Sequence, residues 1–106
     1  MTPPELEVLV RADLAALLRR IGCGCAARCV ASAATAADWL DIASDAHHAV
    51  ARDRYAAHDA SRAAKAMAQG DVDDAAESLA SARDVVGDVS IAVWAADVTA
   101  EIGAAS

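Results

Sequence analysis

Val72, Ala75, Leu79, Ala82, Val86, Val89, Val93, Ala96 and Ala100 are separated by alternating steps of three and four residues. A stripe with that period occupies one side of a helix, and its small residues let a second helix approach closely. Almost nothing elsewhere alternates with the two-residue period of a strand. The stripe therefore predicts an all-α chain: an antiparallel bundle, or α-hairpin stack, of three to five helices in a single domain over residues 1–106.

The material for a core is thin. Leu, Ile and Val together number 21, there is no Phe, and the aromatics are Trp39, Trp94 and Tyr55. Alanine favours helix but buries little surface, so helicity comes easily here and tertiary stability does not. Burial against a second copy or a partner is one remedy, and a homo-oligomer is expected on that ground.

The first helix is marked at both ends. Thr2 and Glu5 have capping-box spacing, and Pro3 and Pro4 fall where an N–H is dispensable. Leu6, Leu9, Val10, Leu14, Leu17, Leu18 and Ile21 form a broad apolar face, and Gly22 suits a left-handed stop. A helix over residues 3–21 follows. Residues 25–69 contain neither Pro nor Gly and read as one long helix, or as two broken near 35–38 or 44–45. Asp38 is a fair N-cap for a break at 35–38. From Ala51 to Ala66 a single thin alanine face is expected, the rest being wet. Gly70 and Asp71 then end one helix and cap the next. The last helix is expected to run to about Ile102 through Gly87, with a break at Gly87-Asp88 as the alternative.

The run Gln69-Gly70-Asp71-Val72-Asp73-Asp74-Ala75, followed by Leu79 and Ala82, resembles the turn and second helix of a tetratricopeptide repeat. The resemblance covers about residues 69–82. It implies a helical hairpin whose small alanines let the two helices meet closely.

Charge and motif content exclude several functions. The net charge is −7, carried mainly by 12 aspartates, and such a surface repels phosphate backbones and anionic lipid. Neither nucleic-acid binding nor a membrane span is expected. The acidic start does not look like an export signal, and three cysteines without one suggest reduced thiols in a bacterial or phage-borne cytoplasmic protein. No nucleophile elbow, phosphate loop, dinucleotide fingerprint or HExxH is present, so no catalytic residue or organic cofactor is assigned and no enzyme is expected.

Three functional readings remain. The first is a non-enzymatic interaction or assembly module that binds a partner protein or a second copy. Its contact surface is expected to comprise Val86, Val89, Ile91, Val93, Trp94 and Val98, with Trp94 as anchor, because buried tryptophans dominate interface energies. The second is a metal-binding bundle in which Cys23, Cys25 and Cys29 offer soft ligands to Zn or Cu. His47 and His48 behind Asp45 add a lone carboxylate-x-x-His spacing, read more simply as solvated side chains. The third is an acidic phage- or plasmid-type inhibitor that blocks a nucleic-acid enzyme by imitating nucleic acid. Against it, the carboxylates are interleaved with Arg52, Arg54, Arg62 and Arg83.

Overall fold

The computed structural model of the chain describes residues 2–48, 54–85 and 91–105. Within them run six helices: α1 (Pro3–Arg20), α2 (Gly24–Val30), α3 (Ala36–His47), α4 (Arg54–Ala68), α5 (Val72–Val85) and α6 (Ile91–Ala105). No strand occurs among the described residues, and none of their helices is long and apolar enough to cross a membrane. The fold is all-α as expected, with more and shorter helices than expected.

α1 is the hub. Thr2 Oγ1 accepts from the Glu5 N–H at 3.4 Å, with both prolines in the first turn. At the other end Gly22 takes φ 87°. The Cys23 N–H then reaches the Leu18 carbonyl at 2.7 Å and the Gly22 N–H the Arg19 carbonyl at 3.2 Å, the paired closure of a Schellman motif. Every residue from Ala12 to Leu18 is buried, so this middle stretch of α1 is enclosed all round and does not merely lay one face on the core. α2, α4, α5 and α6 all pack on it.

The segment read as one or two helices is three. The first break falls at residues 31–35, where Thr35, not Asp38, is the cap. Thr35 Oγ1 accepts from the Asp38 N–H at 3.2 Å, and Asp38 Oδ2 accepts from the Thr35 and Ala34 N–H groups at 3.1 and 3.0 Å. A distant residue closes α2. Arg11 of α1 donates to the carbonyls of Val30 and Ala33, each at 2.8 Å, while its guanidinium stacks 4.9 Å from the Trp39 ring. The alternative break near residues 44–45 is not used, since Ser44 and Asp45 lie inside α3.

α4 carries more burial than a thin stripe. It packs against both α3 and α5, and Ala56, Ala57, Ala60, Ala63, Ala64 and Ala66 are all buried. Alanine permits this because a one-carbon side chain holds neither neighbour away. Ser61 Oγ donates to the Ala43 carbonyl at 2.9 Å across the α3–α4 contact. The following turn is as expected. Gly70 (φ 76°) and Asp71 close a second Schellman motif on Met67 and Ala66, and Asp71 Oδ1 caps the Asp74 N–H at 3.0 Å.

The heptad does not act as one continuous seam. Its first part holds, with Ala75, Leu79 and Ala82 buried in α5 and Val72 half-buried. Val86, Gly87 and Val89 lie outside the described residues. In α6 the phase has changed: Trp94 is 6% exposed and Val98 packs on the core, whereas Val93 is 48% exposed and Ala96 and Ala100 face solvent. The stripe of Trp94 and Val98, offset from the heptad, is the one that faces inward. Bulk decides the choice, because a tryptophan gains far more from burial than alanines do.

Candidate functional site: the two sides of the last helix

α6 packs against α1, and the contact is built from charges as much as from apolar surface. Asp13 is its centre. This aspartate lies in the buried stretch of α1 and is 6% exposed. The Trp94 indole N–H donates to its Oδ1 at 2.6 Å, and Arg83 of α5 pairs with its Oδ2. One carboxylate thus joins α1, α5 and α6. The Arg83 and Arg20 guanidinium groups each lie 5.7 Å from the Trp94 ring centre, within cation–π range. Burial pushes the Asp13 carboxyl up from its ordinary value. The Trp94 hydrogen bond and then the charge and hydrogen bond of Arg83 oppose that rise.

Further along, Arg20 pairs with Asp97 and Arg19 with Glu101. The acids of α6 are therefore turned toward α1, where the two arginines of its last turn meet them. Ile102 is half-buried and lines, with Val8, Ala12, Ala15 and Val30, a groove of about 300 Å³.

The outer side of α6 is the complement of this arrangement. Ala92, Val93, Ala95, Ala96, Thr99, Ala100, Gly103 and Ala104 are exposed, and none carries a charge. The single hydroxyl among them, Thr99, donates to the Ala95 carbonyl of its own helix at 2.8 Å. The result is an exposed helix face with small side chains and no charge, on a chain of net charge −7.

These positions redistribute the expected contact residues. Val93 is on the outer face. Trp94 is not available as an anchor, because Asp13 and the core already hold its ring and N–H. Val98 is partly buried beside it. Ile91 opens α6, its side chain lying outside the described portion, and Val86 and Val89 lie wholly outside it. Sequence reasoning missed Asp13, Arg19, Arg20, Asp97 and Glu101 as the groups that orient the helix. The usable signal was the arginine pair at the end of α1 matched by two acids four residues apart in α6, which share one helical face.

The structure does not bring Cys23, Cys25 and Cys29 together as one cluster. Cys23 is half-buried with its thiol 3.8 Å from the Asp45 carbonyl, and Cys25 and Cys29 are exposed. Among the described residues, no three His, Cys, Asp or Glu side chains come together as a metal ion requires. His47, His48 and His58 are exposed, and the His48 ring nitrogen Nδ1 lies 2.8 Å from the Ser44 carbonyl. Many acids have local duties: Asp38 and Asp71 cap helices, Glu7 pairs with Arg11 at 3.4 Å, and Asp74 with Arg62 at 3.7 Å. Compared with protein-family models, with curated proteins and with solved structures, the chain matches none.

Proposed function

We propose that the chain is a non-enzymatic helical assembly module whose outer α6 face engages another helix, in the first instance a second copy of itself. The observation that carries this reading is the division of α6: both of its acids point to arginines of α1, and its exposed side has no charge. Alanine and glycine at Ala96, Ala100 and Gly103 suit close helix approach, at interaxial distances of about 8 Å. A twofold pairing would bring this face against itself and keep the acidic remainder of the two chains apart. The likeness of residues 69–82 to a tetratricopeptide turn fits a module of this kind, as does an antiparallel stack of its hairpins. The three free thiols are in keeping with a reducing, cytoplasmic setting.

Light scattering over a wide range of protein concentration tests the reading. The expected result is a mass that rises toward twice the 10.8 kDa chain as concentration increases. Ala96→Glu, which places a charge at an exposed position of the face, is expected to hold the protein at one chain. A wild-type protein that stays at one chain throughout contradicts self-association.

A further inference from the structure

A second feature lies away from α6, where the end of α1, the start of α2 and the end of α3 meet. A cleft of about 460 Å³ there is lined by Arg19, Cys23, Cys25, Arg28 and Asp45, with the two glycines of the turn between α1 and α2. Two of the three thiols thus share one cleft, and their surroundings differ. Cys25 is exposed, and the exposed Arg28 places a guanidinium nitrogen 3.3 Å from its sulfur. Cys23 is half-buried against the Asp45 carbonyl. Burial, and then the Asp45 charge, push its thiol up, toward the unreactive protonated form. Cys29 is exposed too and sits one turn along the same helix, but it does not line the cleft. Three cysteines of one short segment therefore offer an exposed thiol beside an arginine, a held thiol and an exposed control.

We propose that Cys25 is a thiolation site for small disulfides that carry carboxylates, with Arg28 as the group that receives them. The Cys25 thiolate, having given its proton to water, attacks one sulfur of the small disulfide. A bond forms between Cys25 Sγ and that sulfur, the original S–S bond breaks, and the other half leaves as a thiolate. The small disulfide is the oxidant and Cys25 is oxidised, so no further co-reactant enters. Arg28, its guanidinium nitrogen 3.3 Å from the attacking sulfur, brings a positive charge whose planar donors suit a carboxylate of the incoming molecule. Arg19 contributes less to this charge because it is paired with Glu101, and Asp45 on the same cleft wall works against an anion. Arg28 is for that reason the residue to change.

Oxidised glutathione, which is anionic, and cystamine, which is cationic, are suitable probes, with adduct formation at each cysteine followed by peptide mass spectrometry. The acidic chain as a whole favours the cation, so Cys29 is expected to react faster with cystamine. At Cys25 the preference is expected to reverse, with at least a fivefold shift in the ratio of the two rates, an effect of about that size being ordinary for local charge. Arg28→Ala is expected to return Cys25 to the preference of Cys29. Equal probe preference at the two cysteines of the wild-type protein overturns the proposal, and so does an unchanged Cys25 preference in Arg28→Ala. The wild-type comparison needs no variant, and it is independent of whether α6 mediates assembly.

Discussion

The indole N–H of Trp94 donates to the carboxylate of Asp13 at 2.6 Å, joining the last helix to the middle of the first. This bond adds to the burial of the Trp94 ring in holding that side of α6 inward. It also leaves the opposite side, with its alanines and Val93, open to solvent. Trp94→Phe keeps most of the ring but removes the donor, leaving a buried carboxylate with the half-exposed Arg83 as its remaining charged partner. The expected loss is about 1–3 kcal/mol. Urea unfolding followed by circular dichroism measures it, and a change below about 0.5 kcal/mol would show that packing alone holds the helix.

Asp13 also sets a pH dependence of definite sign. Its folded-state pKa lies above the unfolded value, burial being the larger cause, so the folded chain binds this proton more readily than the unfolded one. Its contribution to stability is fully present below the ordinary aspartate value of about 3.9 and is lost as pH rises through the raised value. Asp38 acts in the opposite sense. Its capping bonds from Ala34 and Thr35 hold its carboxyl below the ordinary value, so its contribution is present above that value and fades as pH falls. Asp13→Asn isolates the first effect. The stability of the wild type relative to this variant is expected to decline as pH is raised from about 4. A relative stability that increases with pH would mean that the Trp94 hydrogen bond and Arg83 together outweigh burial.

Arg11 joins two parts of the chain. Removing it leaves the Ala33 carbonyl without the Arg11 donor, leaves the Val30 carbonyl with only the Ala33 N–H at 3.3 Å, and uncovers one side of Trp39. Arg11→Ala is expected to cost about 2–3 kcal/mol. Hydrogen exchange is expected to quicken first at residues 24–35. Uniform quickening across all helices would argue against a local capping role.

The glycines separate into two kinds. Gly22 and Gly70 have positive φ, and a Cβ added at either meets nothing within 4 Å. Alanine at each is expected to cost about 1–2 kcal/mol, from backbone conformation alone. Gly103, inside α6 and equally open, is expected to gain about 0.5–1 kcal/mol on the same substitution. Thermal unfolding at low concentration compares the three variants directly.

Features fixed by neighbouring residues were legible in the sequence. Thr2 with the two prolines, Gly22, and the Gly70-Asp71 pair each mark an end within a few positions, and each end is where those residues put it. Features fixed across the chain were not. The end of α2 depends on Arg11, some 19 residues earlier, and no local pattern at Val30 announces that donor. The phase of α6 is hidden because a heptad of alanines has the same period as a stripe containing a tryptophan, and only their bulk separates them. Asp13 is inconspicuous because its neighbours Ala12 and Leu14 suggest only an apolar face. An acid inside such a face signals a partner elsewhere, and here the partners are Trp94 and Arg83.

The two-sided character of α6 is tested most directly by sedimentation equilibrium on the wild-type chain and Ala96→Glu, with urea unfolding of both at low concentration alongside. An outer face used for assembly requires that Ala96→Glu abolish the two-chain species while shifting single-chain stability by less than about 0.5 kcal/mol, as surface substitutions ordinarily do. A wild-type protein that sediments as one chain at every concentration, or an Ala96→Glu variant that associates as the wild type does, would contradict it.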